Sequence, residues 1–172
     1  MATGRDSKVT SENFYWLSTK PDELDWGKTR DTAVTPQSAY ADMTGLQDLV
    51  PVALRVQAKP VDSACSIPIA VHPMAAPTIK PVVAPECEQG LQFVQMTVSN
   101  PTKTLAFMVH LRLVKSDGED VIPAFFEDNF ISLLPGESRY LAVFYRSADV
   151  GKAPAHLEVS GWNAQSQNIA LH

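Results

Sequence analysis

The chain has 172 residues, a length that encloses one good apolar core, or one core with appendages. Its 14 Lys+Arg against 19 Asp+Glu give a net charge of −5, and no cluster of Lys and Arg occurs, which excludes a nucleic-acid partner on electrostatic grounds. Nothing approaches the roughly 18 consecutive apolar residues of a membrane span, and Met1 to Val9 holds Arg5 and Lys8 without the apolar run of a signal peptide, so a soluble chain with no membrane association is expected.

Residues 1–12 are polar and read as a disordered tail. Residues 13–26 then collect Phe14, Tyr15, Trp16, Leu17, Leu24 and Trp26 around Lys20-Pro21-Asp22, the pattern of a short strand and a turn. One strand cannot bury so many aromatic rings by itself. Thr35-Pro36 offers an N-cap followed by proline at the first helical position, and Tyr40, Met43, Leu46 and Leu49 follow at helical spacing. The spacing predicts a short helix over 36–49, weakened by Gly45. Residues 51–57 read as a strand with Val52, Leu54 and Val56 on one face, which closes a first segment over 13–57.

Residues 58–88 contain Pro60, Pro68, Pro73, Pro77, Pro81 and Pro85, too many missing backbone donors for a sheet, and read as a linker or long surface loop. Cys65 and Cys87 bracket this span. A disulfide between them would close a loop of about 20 residues and stabilise by roughly 3 kcal/mol in an oxidising compartment; two unpaired thiols are the alternative.

From 89 to 172 the pattern becomes a succession of short strands. Leu91 to Ser99 alternates, with Val94, Met96 and Val98 on one side, and Asn100-Pro101-Thr102 marks a turn. Leu105, Phe107, Val109, Leu111 and Leu113 alternate with the residues between them, and Lys115-Ser116-Asp117-Gly118 reverses the chain. Extended runs follow at 121–126, 129–133, 140–145, 156–162 and 167–171, with Leu134-Pro135-Gly136-Glu137 as a further turn. The fold class expected is all-β, an immunoglobulin-like antiparallel β-sandwich preceded by an extended segment, a short helix and the proline-rich span.

Chemistry-bearing patterns are scarce. Glu127 and Asp128 are neighbours, so in a strand they point to opposite faces and cannot act jointly as acid and base. His72, His110, His156 and His172 are scattered, and no Cys or His spacing suits zinc. Asp22, Asp25, Asp31, Asp42 and Asp48 lack calcium-loop spacing. No catalytic residue, cofactor or metal is expected. Tyr15, Trp16, Trp26 and Tyr40 form the one candidate surface, either a platform for stacking sugar rings or a patch that packs on protein.

The phrases NFYWLSTKPDELDW, TPQSAYADMTGL, NPTKTLAFMVHLRLV, EDVIPAFFEDNFISLLPGES and LEVSGWN resemble the C-terminal region of exo-β-D-glucosaminidases and related β-mannosidase-like enzymes of glycoside hydrolase family two. The resemblance implies that residues 13–57 close an immunoglobulin-like domain that precedes a final one. It also implies catalytic glutamates on an upstream (β/α)8 barrel that has no counterpart in this sequence, whose order of elements never alternates strand and helix. A non-catalytic accessory domain is therefore expected, with the barrel and preceding domains as partners, oligosaccharides of β-linked glucosamine or mannose as substrates of the parent, and a secreted or periplasmic setting. A carbohydrate-binding module and a free-standing sandwich that recruits protein partners at its sheet edges are the alternatives.

Overall fold

The computed structural model describes residues 2–3, 9–11, 13–29, 34–61, 67–68, 81–82 and 90–171, the short pieces at 2–3, 9–11, 67–68 and 81–82 by their backbone alone. Cys65 and Cys87 lie outside the described residues, as does most of the proline-rich span. The chain divides into two compact units, residues 1–49 and 50–172.

The second unit is the sandwich. Eight strands build it: β1 (Arg55–Val61), β2 (Leu91–Ser99), β3 (Ala106–Val114), β4 (Ala124–Phe126), β5 (Ile131–Leu133), β6 (Ser138–Arg146), β7 (His156–Ser160) and β8 (Gln167–Ala170). One sheet has the order β4-β6-β2-β1 and the other β5-β3-β7-β8, with every pairing between these strands antiparallel. The inward residues of both sheets interdigitate. Val94, Met96 and Val98 of β2 and Leu141, Val143 and Tyr145 of β6 face Val109, Leu111 and Leu113 of β3 and Leu157 and Val159 of β7 in one cluster. This is the arrangement that period-two alternation requires, because each strand hides one face and wets the other.

Two turns show the local chemistry that shapes the ends. Leu134-Pro135-Gly136-Glu137 closes with the Glu137 amide donating to the Leu134 carbonyl over 3.0 Å, and Gly136 at φ +77 supplies the left-handed conformation at its third position. Gly161, after β7, lies where a Cβ would meet the Phe107 carbonyl oxygen and the Val109 Cα at 3.3 Å, so only a residue without a side chain passes there comfortably.

Strand β3 departs from its sequence pattern. Ile131 pairs with Val109 but Leu133 pairs with Ala106, so β3 carries one residue more than β5 between these pairs. The bulge centres on Met108, which adopts φ +51. Below it the alternation slips by one place: Ala106 is buried, whereas Phe107, expected on the face of Val109, is only half-buried.

The first unit has short elements, and none of its residues with described side chains is buried. Glu23–Leu24 pairs antiparallel with Gln37–Ala39, and 3-10 turns span Trp26–Lys28 and Thr44–Asp48. Ala2–Thr3 pairs with Val9–Ser11, and the rest of the expected tail over 1–12 lies outside the described residues. The helix expected over 36–49 does not form. The Asp22 carboxylate accepts from the Ala41 amide at 2.9 Å and from Gln37 Nε2 at 3.1 Å, and the Asp25 amide donates to the Pro36 carbonyl at 2.8 Å. These bonds hold the backbone extended where local signals favoured a helix, and only Thr44–Asp48 keeps a helical turn. Strand β1 also corrects the expected segment over 13–57, since Arg55–Val61 pairs along its length with β2 and so belongs to the sandwich.

Candidate interaction surfaces

Three asparagines fix the ends and corners of the sandwich by standing in for backbone. Asn100 is fully buried; its Nδ2 donates to the carbonyls of Thr104 (2.7 Å) and Leu133 (3.0 Å), while its Oδ1 accepts from the Thr102 amide (3.1 Å) and hydroxyl (2.6 Å). It thereby ties the end of β2 in one sheet to β5 in the other. Asn163 donates to Val50 and Leu105 carbonyls, each at 2.8 Å, and accepts from the Phe107 amide at 2.9 Å. Val52, in a parallel bridge to Ala164, is pinned beside it by its amide on the Asn163 carbonyl at 2.8 Å. Asn129 pairs both backbone groups of Leu111, accepting at 2.8 Å and donating at 2.9 Å, as a strand residue would. Sequence reasoning gave Asn100 a turn and assigned Asn129 and Asn163 no role. An asparagine at the margin of an alternating run, followed by proline at Asn100 and preceded by tryptophan at Asn163, is the signal that was available for those two.

Chemistry is absent from these contacts. Among the described residues no group of three or more His, Cys, Asp and Glu side chains is arranged to hold a metal ion. Asp128 turns its Oδ1 to the Asn129 amide at 2.8 Å, a local backbone cap. Glu127 beside it is held above the usual carboxylate range, first by partial desolvation and then by the Asp128 charge, against a backbone hydrogen bond at Ala142. Arg112 joins Asp120 (2.8 Å) and Glu158 (3.0 Å) on the outer face of the second sheet, and these partners raise its pKa, the Asp120 hydrogen bond most. His110 stacks on Phe130 with centroids 4.4 Å apart and planes at 9°, and so serves as a ring support.

Of the four aromatic residues singled out in the first unit, Tyr15, Trp26 and Tyr40 are about seven-tenths exposed, at 73%, 71% and 70%, and Trp16 is half-buried. No ring contact joins Tyr15, Trp26 and Tyr40 to one another among the described residues. The surface is therefore apolar and solvent-facing without a gathered platform. Carboxylates nearby are engaged locally: Asp42, lowered by its hydrogen bonds to the Thr44 hydroxyl (2.6 Å) and amide (3.1 Å), caps a turn, and Asp25 pairs with Lys28 at 2.9 Å.

The two packed antiparallel sheets define an immunoglobulin-like β-sandwich. The comparisons place it more closely. Residues 32–164 match the family model described as the exo-β-D-glucosaminidase Ig-fold domain, and the chain belongs to that family. It is 36% identical over 167 residues to the exo-β-D-glucosaminidase of Streptomyces avermitilis, and 34% identical over 169 residues to that of Amycolatopsis orientalis. Each match covers 97% of this chain but only 16% and 14% of the relative. The crystal structure of the Amycolatopsis orientalis exo-chitosanase CsxA superposes with a TM-score of 0.75 at 34% identity, over 98% of this chain and 17% of that one. The chain thus spans about one sixth of the length of the relatives it matches.

Proposed function

We propose that the chain acts as a non-catalytic accessory domain of an exo-β-D-glucosaminidase-like glycoside hydrolase. In this reading the longer polypeptide, through its catalytic barrel and preceding domains, removes residues from oligosaccharides of β-linked glucosamine or mannose, and the sandwich braces it. The observation that carries the reading is the family match over 133 of 172 residues, from 32 to 164, in a chain that spans so small a share of its relatives. The described residues support it, since their polar side chains are spent on backbone caps and ion pairs and not on a convergent acid–base pair.

The first unit fits the same reading. The described residues of 13–49 include no buried one yet expose Phe14, Tyr15, Leu17, Trp26 and Tyr40, which suits the terminal piece of a preceding immunoglobulin-like domain whose remaining strands lie outside this chain. Tyr15, Trp16, Trp26 and Tyr40 then serve as a contact between domains. Reading the DNA upstream of the Met1 codon tests this. A continuous frame encoding a (β/α)8 barrel is the expected result, and a stop codon with a promoter directly before Met1 would remove the reading.

A further inference from the structure

The outer face of the β4-β6-β2-β1 sheet carries one apolar row that crosses all four strands. Phe125 stands opposite Phe144, Phe144 opposite Phe93, and Phe93 opposite Val61. Phe125 and Phe144 stack with centroids 4.9 Å apart and planes at 13°, and Phe144 meets Phe93 at 5.8 Å. None of the three rings belongs to the core cluster between the sheets, and Phe125 and Phe144 remain 53% and 37% exposed. Beside the row lies a groove of about 230 Å³, lined by Leu91, Pro123, Tyr145 and Arg146 as well as these two rings.

Charge within the strands of this sheet is one-sided, with Glu127 directly after β4 and its amide bonded to the Ala142 carbonyl. The four strands carry Arg55, Lys59, Arg139 and Arg146 and no Asp or Glu, although the whole chain has a net charge of −5. Arg55 and Lys59 alternate with the core-packed Val56 and Ala58, and Arg146 follows the buried Tyr145, which sets these three cations on the outer side with the aromatic row. Phe93 is already buried at 5% exposure, so the apolar surface open to water is that of Phe125, Phe144 and the groove, and cations on the same face favour a carboxylate-bearing cover. A sugar fits poorly, because Phe125 and Phe144 spend ring faces on each other and a groove of aromatic, proline and leucine side chains offers few hydrogen-bond partners.

We propose that this face is the docking surface for a neighbouring domain of the longer polypeptide, through a patch that is apolar at its centre and bordered by carboxylates. The inference rests on the accessory-domain reading above, and it adds which face is used and what meets it. The occupant is argued from the cations Arg55 and Lys59 that β1 sets on this face and from the share of the relatives, more than four-fifths of their length, that lies outside the match. An apolar centre with a polar rim is the usual anatomy of such contacts.

The test uses the full chain and 8-anilinonaphthalene-1-sulfonate, an aromatic anion with the chemistry ascribed to the partner. The wild-type chain should bind the dye, and Phe144→Asp should weaken binding about tenfold, while Arg112→Gln on the opposite sheet leaves it unchanged. Phe125→Ser, on the three-residue edge strand, repeats the test if Phe144→Asp loses its strand circular dichroism. Superposition on the Amycolatopsis orientalis structure should then place atoms from outside the matched segment, carboxylates among them, over the positions of Phe125 and Phe144. No dye binding by the wild type, which would mean the row is covered within this chain, or equal binding by Phe144→Asp, overturns the proposal. If the matched segment meets the rest of the relative only through other faces, the docking proposal fails and the accessory reading stands; if it meets nothing there, both fail.

Discussion

Replacing Asn100 by alanine tests the claim that side-chain amides, as much as the apolar core, hold the two sheets in register. The substitution removes the donor to the Leu133 carbonyl, which sits in a fully buried residue, and the donor to the Thr104 carbonyl, together with the acceptor of the Thr102 amide and hydroxyl. The Thr102 and Thr104 groups are partly buried and regain water. The Leu133 carbonyl does not, so it bears most of the desolvation penalty, about 2 kcal/mol, and the lost bonds and vacated volume add about 1 kcal/mol more. A loss of about 3 kcal/mol is expected, read as a lower urea midpoint at unchanged slope, with a thermal midpoint about 10 °C lower. Thr102→Val, which deletes only the 2.6 Å hydroxyl bond, should cost about 1 kcal/mol. Asn100→Asp should cost more than alanine at neutral pH, because its carboxylate would face the two carbonyl oxygens. If Asn100→Ala loses less than about 1 kcal/mol, the tie between the sheets is not where the hydrogen bonds place it.

Further outcomes follow from other positions. Asn163→Ala should destabilise by about 2 kcal/mol and speed amide exchange selectively at Phe107, whose amide hydrogen bond its side chain accepts; uniform exchange across the sandwich would count against a local clasp. Met108→Gly should stabilise by up to about 1 kcal/mol in chemical denaturation, since glycine adopts φ +51 without the Cβ penalty and Met108 is 40% exposed, whereas Met108→Val should destabilise; the reverse order would refute the bulge. For Glu127 the folded-state pKa is raised, so its contribution is present below the ordinary carboxylate pKa and is lost as pH rises through the folded value. Glu127→Gln should therefore be the more stable protein at pH 7, with the gap closing below about pH 4 in parallel urea titrations; a gap that persists there would show that the carboxylate charge is not its cause.

The strands were legible because a buried two-sheet interior imposes its period on the sequence. Leu91 to Ser99 reads as a strand and forms as β2 over the same residues, and the later runs fall within a few residues of β6, β7 and β8. The bulge at Met108 was not legible, since Leu105 to Leu113 alternates without a break and the slip arises from pairing with the short β5. The missed helix has the same origin. Thr35-Pro36 and the spacing of Tyr40, Met43 and Leu46 are local signals, while the Asp22 carboxylate that overrides them comes from the facing segment, 15 to 19 residues away. The aromatic row was hidden for a related reason: Phe93, Phe125 and Phe144 lie far apart in sequence and meet only once the register of β4, β6 and β2 is known. The clamps at Asn100, Asn129 and Asn163 look like turn residues until their partners across the fold are in place.

An account in which this chain braces a glycosidase and contributes no reacting group meets its most direct test in a hydrolysis assay. The purified chain is incubated with p-nitrophenyl β-D-glucosaminide, the compound class named in complexes of the Amycolatopsis orientalis relative. Nitrophenol release at the rate of the buffer blank is expected, and saturable release that scales with the concentration of the purified chain would contradict the account.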